Sequence, residues 1–232
     1  FLMTGVTQSD VIQLMLTLDR QFMAGMAYYL GARKIGAAVI RSGAVSPAIQ
    51  WENIQRFNPT VLVAVPSFIV KMIAYAHAHQ IDLSATSVKK IVCIGEPIRL
   101  PDFSPNEIAA RILKHWEVEL YSTYASTEMQ TAFTECGMNT GNHLRPDLLL
   151  VEVLNEQGEQ VSNGEAGEVV VTTLGVEGMP VLRYRTGDIC TYYNEPCKCG
   201  RNTVRLSAVT NRKNQMIKYK GNNRIIARID NI

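Results

Sequence analysis

The sequence predicts an α/β fold, in which a parallel-sheet α/β subdomain is followed by a smaller subdomain resembling an antiparallel β-barrel. Apolar, β-branched runs alternate with helical patterns through the first half of the chain, an order typical of parallel sheets. Further along, strand patterns recur at short spacing without helices between them. We place the α/β subdomain at residues 1–145, the β subdomain at residues 146–210, and the start of a further, incomplete unit at residues 211–232.

Helical patterns recur four times in the first subdomain. The predicted helices cover residues 8–36, 47–57, 67–80 and 105–116. Ser9 offers a capping hydroxyl at the start of the first helix. Pro47 suits the first turn of the second helix, and Asn58 followed by Pro59 ends it.

Short apolar strands separate these helices. The predicted strands cover residues 37–40, 60–65, 90–94 and 118–121. The second strand is rich in β-branched residues and is followed by Pro66, and the third is followed by Gly95. Short, continuous apolar runs of this kind are typical of strands buried on both faces. Strand and helix in alternation imply parallel strands joined by right-handed crossovers. In the second subdomain, strands are predicted over residues 148–154 and 167–173, with a turn at 155–158.

Composition and charge exclude several classes of protein. Hydrophobic residues make up 47% and charged residues 19% of the chain, as in an ordinary globular domain. The formal net charge of +2 provides no field that would attract nucleic acid. No apolar run reaches the roughly 18 to 20 residues of a membrane span, and we recognise no signal peptide. The odd number of cysteines, 5, favours a reducing compartment, so we expect a cytoplasmic protein.

Three loops carry side chains suited to a nucleotide, because ligands of open parallel sheets bind beyond the carboxyl ends of strands. In the loop 94–97, Gly95 lets a planar ring approach the backbone. The loop 122–128 combines hydroxyls for phosphate with a carboxylate that can hold Mg²⁺. The loop 184–188 offers an aspartate that can accept both ribose hydroxyls. Taken singly, each loop is better explained as a turn or a helix cap.

In this order and spacing, the three loops resemble motifs of the adenylate-forming ligase superfamily, and within it the phenylacetate–CoA ligases. Residues 94–97 (Ile-Gly-Glu-Pro) resemble the Gly-Gly-Glu-Pro adenine loop, and residues 124–128 (Tyr-Ala-Ser-Thr-Glu) resemble Tyr-Gly-x-Thr/Ser-Glu. Residues 184–188 match Tyr-Arg-Thr-Gly-Asp. Residues 211–215 stand where the family has Gly-Arg-x-Asp-Asp, the hinge before its mobile C-terminal domain. The resemblance covers residues 1–221.

The resemblance implies a role for each motif residue. Tyr124 would stack on adenine, Thr127 would contact the α-phosphate and Glu128 would bind Mg²⁺. Asp188 would hold the ribose hydroxyls, and Arg212 would contact the ribose from the hinge. The other nucleotide-binding positions that the resemblance implies are Gly95, Glu96, Pro97, Ala125 and Ser126.

The reaction implied by the resemblance has two steps. A carboxylate attacks the α-phosphorus of ATP to give an acyl-adenylate and pyrophosphate, and the thiol of coenzyme A then displaces AMP. Three departures from the family pattern stand out: Ala125 replaces a glycine, while Asn214 and Gln215 replace the hinge carboxylates. The family's phosphate loop precedes this chain and its catalytic lysine follows it, so we expect these 232 residues alone to be inactive.

Four residues form a candidate structural zinc site. Cys136 and His143 provide one pair, and Cys197 and Cys199 provide a second pair beside Gly200, which relieves the turn. Zn²⁺ takes four such ligands in closed structural sites, which leave no open position for catalysis. Some relatives of the phenylacetate–CoA ligases carry a similar metal site, which favours zinc. The alternative is reduced thiols on a turn and a surface histidine.

Three functions therefore remain open. The first is an acid–CoA ligase that uses ATP, Mg²⁺ and coenzyme A, with an aryl acid resembling phenylacetate as substrate. The resemblance implies an acyl pocket near Tyr28 and Phe68, although core packing explains both residues equally well or better. The second is a catalytically inactive, zinc-stabilised interaction module. The third is a degenerate ligase that binds nucleotide only, as the two hinge departures suggest. Neither nucleic acid nor a membrane is expected as a partner, and a homodimer is left open.

Overall fold

The computed structural model describes residues 1–19, 21–213, 216–219 and 222–225. A short 3-10 turn at Leu2–Thr4 precedes the helices α1 (Met23–Ile35), α2 (Pro47–Phe57), α3 (Pro66–Ala78) and α4 (Glu107–His115). The strands are β1 (Val11–Leu14), β2 (Ala38–Ile40), β3 (Val61–Ala64), β4 (Lys90–Cys93), β5 (Glu119–Ser126), β6 (Thr131–Glu135), β7 (Asn142–His143), β8 (Leu149–Leu154), β9 (Ala166–Thr173), β10 (Tyr184–Tyr193), β11 (Arg205–Leu206), β12 (Asn211–Arg212), β13 (Met216–Tyr219) and β14 (Asn222–Ile225).

The first part of the chain forms the predicted parallel sheet. Its strands lie in the order β2-β1-β3-β4-β5, and each neighbouring pair is parallel. The helices α2, α3 and α4 pack against it around Trp51, whose Nε1 donates a hydrogen bond to the carbonyl oxygen of Met72 at 2.9 Å. The side chains of β3 are buried on both faces, as the run of β-branched residues predicts. The predicted α/β fold class is therefore confirmed.

The prediction of one helix over residues 8–36 is wrong in its first half. Val11–Leu14 is the strand β1, which lies between β2 and β3, and the helix begins only at Met23. Ser9 caps no helix: the backbone N–H of Thr7 bonds to the carboxylate of Asp10 in a turn before β1. A short apolar run fits helix and strand equally well by periodicity, and here the pairing with two parallel neighbours decides the outcome.

The second part of the chain continues the same sheet with antiparallel strands. From β5 the order runs β6-β7-β11-β10-β9-β8, and β12 pairs with β10. The hairpin of β13 and β14 forms a separate two-stranded sheet among the described residues. The predicted strands at 148–154 and 167–173 correspond to β8 and β9. The hinge positions Asn214 and Gln215, and residues 226–232, lie outside the described residues.

Strand β5 joins the two halves of the sheet and carries one of the predicted loops. It is parallel to β4 on one side and antiparallel to β6 on the other. The strand continues to Ser126, well beyond the predicted end at residue 121. Residues 122–126 are therefore not the predicted loop; pairing with β6, from Thr123 onward, keeps them extended. The actual turn comprises residues 127–130, between β5 and β6.

Two cysteines pack in the core. Cys93 ends β4 and Cys190 lies on β10, and neither side chain is exposed. Burial raises the pKa of both thiols well above the ordinary value, so neither is a ready nucleophile. Separately, none of the helices in the described part of the chain is long and apolar enough to cross a membrane.

Candidate nucleotide and metal sites

Asp188 lies at the centre of the candidate nucleotide site. Its side chain is 6% exposed. Oδ2 accepts a hydrogen bond from the hydroxyl of Tyr124 at 2.8 Å, and Oδ1 accepts one from Nε of Arg212 at 2.7 Å. An ionised carboxylate has about four lone-pair positions. Two partners therefore leave Asp188 with capacity to accept the two hydroxyls of a ribose.

Residues 184–188 are not the predicted loop but the first half of β10, because Tyr184 and Arg185 pair with β9, and the backbone around Asp188 is set by a local irregularity of this strand. The register with β9 shifts between Arg185 and Ile189, and Gly187 takes a positive φ of 76° within this interval. The hydroxyl of Thr186 donates to the carbonyl oxygen of Val169 at 2.8 Å and accepts from the backbone N–H of Asp188 at 3.1 Å. The Thr-Gly-Asp sequence therefore fixes where the carboxylate points.

Tyr124 and Arg212 reach Asp188 from different parts of the chain. Tyr124 lies on β5 and is buried, packed beside Phe133 with ring centroids 5.9 Å apart. Burial, together with the nearby Cys190 and Asp188, raises the pKa of Tyr124, so its hydroxyl stays protonated and can donate. Arg212 is on β12, directly opposite Asp188 in the pairing with β10. The structure thus brings together three residues that the sequence assigned to one site.

The predicted adenine loop is anchored through Glu96. Its carboxylate accepts hydrogen bonds from the backbone N–H and the hydroxyl of Ser67, at 2.8 and 2.9 Å. Ser67 lies in the first turn of α3, where an anion is stabilised by the unpaired N–H groups of the helix. Gly95 turns the chain with a φ of 75°, and Pro97 accepts a bond from the side chain of Asn106. Glu96 therefore holds the loop against the start of α3.

The turn after β5 carries the candidate phosphate and magnesium ligands. Thr127 is exposed and Glu128 is half-buried. The hydroxyl of Ser126 accepts a hydrogen bond from the backbone N–H of Met129 at 3.2 Å, which caps the turn. Ala125 is exposed on β5. Among the described residues, none forms a hydrogen bond or ion pair with the carboxylate of Glu128, which is therefore available for a cation.

Two buried acid networks beside the site were not predicted. Glu168 on β9 binds Arg185 and Lys213, at 2.6 and 3.2 Å. Burial alone would raise the pKa of Glu168, but these two hydrogen bonds bring it below its ordinary value. Arg99 and Glu135 form a second pair, with exposed fractions of 7% and 1%. The partners are far apart in sequence, so no local pattern could have indicated them.

The four predicted metal ligands converge. Sγ of Cys136 lies 3.7 Å from Sγ of Cys197, and Sγ of Cys199 lies 3.6 Å from Nε2 of His143. All four ligand atoms lie within 4.8 Å of one another. Tetrahedral Zn²⁺, with bonds of about 2.3 Å to sulfur and 2.0–2.1 Å to nitrogen, would set these two separations at about 3.8 and about 3.6 Å. The cluster therefore fits a tetrahedral cation of this size.

Neighbouring residues orient and tune these ligands. Nδ1 of His143 lies 2.8 Å from the hydroxyl of Thr203, which directs Nε2 toward the sulfurs. Burial and the positive charges of Arg201 and Arg205 lower the pKa of His143 to about 4, so the ring is neutral at physiological pH. Burial would raise the pKa of Cys199, but the hydrogen bond from Arg201 lowers it to about 7. His143 and Cys199 are thus prepared for a cation, whereas burial raises the pKa of Cys136 to about 11, so this thiol must lose its proton when a metal binds.

Comparison with known proteins gives a consistent result. The family model described as AMP-binding enzyme matches residues 2–178. The phenylacetate–coenzyme A ligases of Thermus thermophilus and Escherichia coli are 28% and 27% identical to this chain, each over 87% of it and 45% of the relative. The chain thus spans about half the length of the curated relatives it matches.

Solved structures share the fold. A 2-hydroxyisobutyryl-CoA ligase in the postadenylation state, in complex with 2-HIB-AMP, matches with a TM-score of 0.82 and 22% identity over 96% of this chain and 48% of that chain. A benzoate CoA ligase from Burkholderia xenovorans matches with a TM-score of 0.64 and 20% identity over 93% and 44%.

Proposed function

Since the chain belongs to the family of AMP-binding enzymes, we propose that it is the adenylate-binding part of an AMP-forming acid–CoA ligase. In the first step the carboxylate of the acid attacks the α-phosphorus of ATP, the bond to pyrophosphate breaks and an acyl-adenylate forms. In the second step the thiol of coenzyme A attacks the acyl carbon and AMP leaves.

The observation that carries the proposal is the convergence of Tyr124, Asp188 and Arg212. A buried carboxylate with two donors and spare acceptor capacity is suited to a ribose, and Tyr124 offers an aromatic ring beside it. Asp188 and Arg212 come from antiparallel strands, whereas Tyr124 extends the last parallel strand of the sheet. Nucleotides bind at this kind of edge in open α/β sheets.

The residues of the turn after β5 suit the phosphates. Thr127 offers a hydroxyl, and the carboxylate of Glu128 is a hard oxygen ligand of the kind that Mg²⁺ prefers. A bound Mg²⁺ would neutralise charge on the phosphate oxygens, which is the main requirement of this reaction. Glu128 then orients the triphosphate relative to Asp188, which holds the ribose.

For the acid, we propose an aryl carboxylate similar to phenylacetate. The curated relatives named above are phenylacetate–coenzyme A ligases, whereas the solved structures are named for 2-hydroxyisobutyrate and benzoate. Tyr28 and Phe68 are half-buried aromatic residues from α1 and α3, and burial raises the pKa of Tyr28. Such residues can pack against an aromatic ring.

The Cys136–His143–Cys197–Cys199 cluster is proposed to hold structural Zn²⁺. Its donor set and its separations fit four-coordinate zinc, and four protein ligands leave no position for a substrate. Thiols that must stay reduced to bind the metal also support a cytoplasmic location.

The test of the proposed function uses the full-length protein. Pyrophosphate release is measured with ATP, Mg²⁺ and a panel of aryl acetates and benzoates. The proposal expects release with at least one aryl acid and AMP formation only when coenzyme A is added. No release with any acid, with AMP binding retained, would instead support a protein that binds nucleotide only.

Replacing Glu128 with glutamine is expected to lower the rate of adenylation about 100-fold or more, because a neutral amide is a poor ligand for Mg²⁺. Zinc content should not change, since Glu128 is not part of the cysteine cluster. Glu156→Gln, on an exposed turn, is the matched control and should retain the full rate. An unchanged rate in Glu128→Gln would remove this residue from the proposed mechanism.

A further inference from the structure

Arg99 connects three segments that border the candidate nucleotide site. It follows the Gly95–Pro97 loop by two residues. Its Nε lies 3.0 and 3.2 Å from the two carboxylate oxygens of Glu135, and its Nη2 donates to the carbonyl oxygen of Leu120 at 2.9 Å. Glu135 also accepts from the backbone N–H of Ser122 at 2.8 Å. One buried ion pair therefore ties the adenine loop to β5 and β6.

Stability alone does not explain this pair. Removing two charges from water costs several kcal/mol per ion, and a buried pair contributes little net stability compared with apolar residues of the same volume. Arg99 and Glu135 nevertheless satisfy several polar groups at once, including a carbonyl and an N–H of β5. A planar guanidinium with several fixed donors holds such an arrangement in one geometry. The pair is therefore suited to holding the Gly95–Pro97 loop, β5 and β6 in one fixed arrangement.

The Arg99–Glu135 pair also lies next to the cysteine cluster. Glu135 immediately precedes the ligand Cys136, and its neighbour Thr134 lies opposite the ligand His143 in the pairing of β6 with β7. A cation bound by both ligands would fix the end of β6 and with it the carboxylate of Glu135. On the nucleotide side, Tyr124 lies two residues beyond Ser122 on β5. The metal and nucleotide sites thus share one buried connection.

We propose that the Arg99–Glu135 pair couples metal binding at the cysteine cluster to nucleotide binding at Tyr124 and Asp188. Arg99 is a positioning residue: with the metal bound, Glu135 holds Arg99, Leu120 and Ser122 in the geometry that the nucleotide requires. Without the metal, the end of β6 is released and the adenine loop loses this anchor. The inference rests on the proposed function and on metal binding by the cluster.

The test measures AMP affinity by calorimetry in the full-length protein, loaded with Zn²⁺ or stripped with a chelator. We expect the stripped protein to bind AMP about tenfold more weakly, a coupling within the usual range. Because coupling is reciprocal, saturating AMP should raise zinc affinity by the same factor. A metal that only stabilised the folded state would show no such reciprocity in protein that circular dichroism finds fully folded.

Arg99→Lys is the variant that breaks the connection, because lysine keeps the charge but cannot reach Glu135 and Leu120 together. We expect its AMP affinity to be weak and independent of zinc. Arg145→Lys, in a surface ion pair with Asp147, is the matched control and should keep the full coupling. If Arg99→Lys does not fold, Glu135→Gln replaces it.

The outcomes separate the inference from the proposed function. AMP affinity that is the same in loaded and stripped wild type, or coupling that persists in Arg99→Lys, would overturn the inference while leaving the proposed function intact. No AMP binding by the loaded wild type would overturn the proposed function and the inference together. No zinc uptake would overturn the inference and the proposed metal site, while leaving the proposed ligase function intact.

Discussion

Replacing Asp188 with asparagine in the full-length protein is expected to weaken AMP binding about 100-fold. The carboxylate accepts hydrogen bonds from Tyr124 and Arg212, and the side chain is 6% exposed. An amide has one acceptor oxygen and no charge, so it cannot bind Arg212 and two ribose hydroxyls together. Hydrogen bonds to charged groups contribute about 1.5–3 kcal/mol each, and about 2.7 kcal/mol corresponds to a factor of about 100.

Calorimetric titration with AMP checks this expectation. Asp147→Asn is the matched control, because Asp147 is 59% exposed, forms a surface ion pair with Arg145 and should leave AMP affinity unchanged. The Asp188 variant must also show the circular dichroism spectrum of the wild type. Wild-type AMP affinity in a correctly folded Asp188→Asn would remove Asp188 from the site.

The second large effect is expected at the metal cluster. Cys136→Ser should reduce zinc from about one ion per chain to background, because a structural site needs all four ligands. Apparent zinc binding in small fingers is about 10–16 kcal/mol, so even partial loss of that energy should lower the melting temperature by about 10 °C or more. Elemental analysis and thermal unfolding provide the two measurements.

Cys93→Ala is the matched control for this variant. Cys93 is a fully buried cysteine on β4, outside the cluster. The Cys93→Ala variant should retain the metal, and its stability should fall only by the small contribution of one packed side chain. Purified wild type without zinc, or Cys136→Ser with its full zinc content, would contradict the proposed metal site.

The sequence predicts the elements that have clear endings. The strands β3 and β4 stand between residues that break regular structure, such as Pro66 and Gly95, and both were found. Strand β1 was missed because its three apolar residues fit either periodicity, and because Gln13 among them looks like a polar helix position. Its side chain is buried and bonds to Gln50 at 2.7 Å, a partner that only the folded chain reveals.

The candidate sites, too, depend partly on local sequence patterns and partly on contacts that only the fold creates. The candidate nucleotide loops were singled out by their order and their resemblance to family motifs, and the four candidate metal ligands by their residue types, whose ligand atoms lie together in the fold. The convergence of Tyr124 with Asp188, separated by 64 positions, required a fold. Arg99 and Glu135, separated by 36 positions, carry no local signal, because isolated charged residues usually lie on the surface. Long-range partners of this kind are what the sequence alone leaves out.

The Gly95–Pro97 loop, Tyr124 on β5 and Asp188 on β10 are proposed to bind one adenylate. A crystal structure of the full-length protein with AMP tests this proposal most directly. We predict the purine against the ring of Tyr124, beside the Gly95–Pro97 loop, with both ribose hydroxyls bonded to Asp188. Density for AMP at a place that contacts neither Tyr124 nor Asp188 would contradict the account.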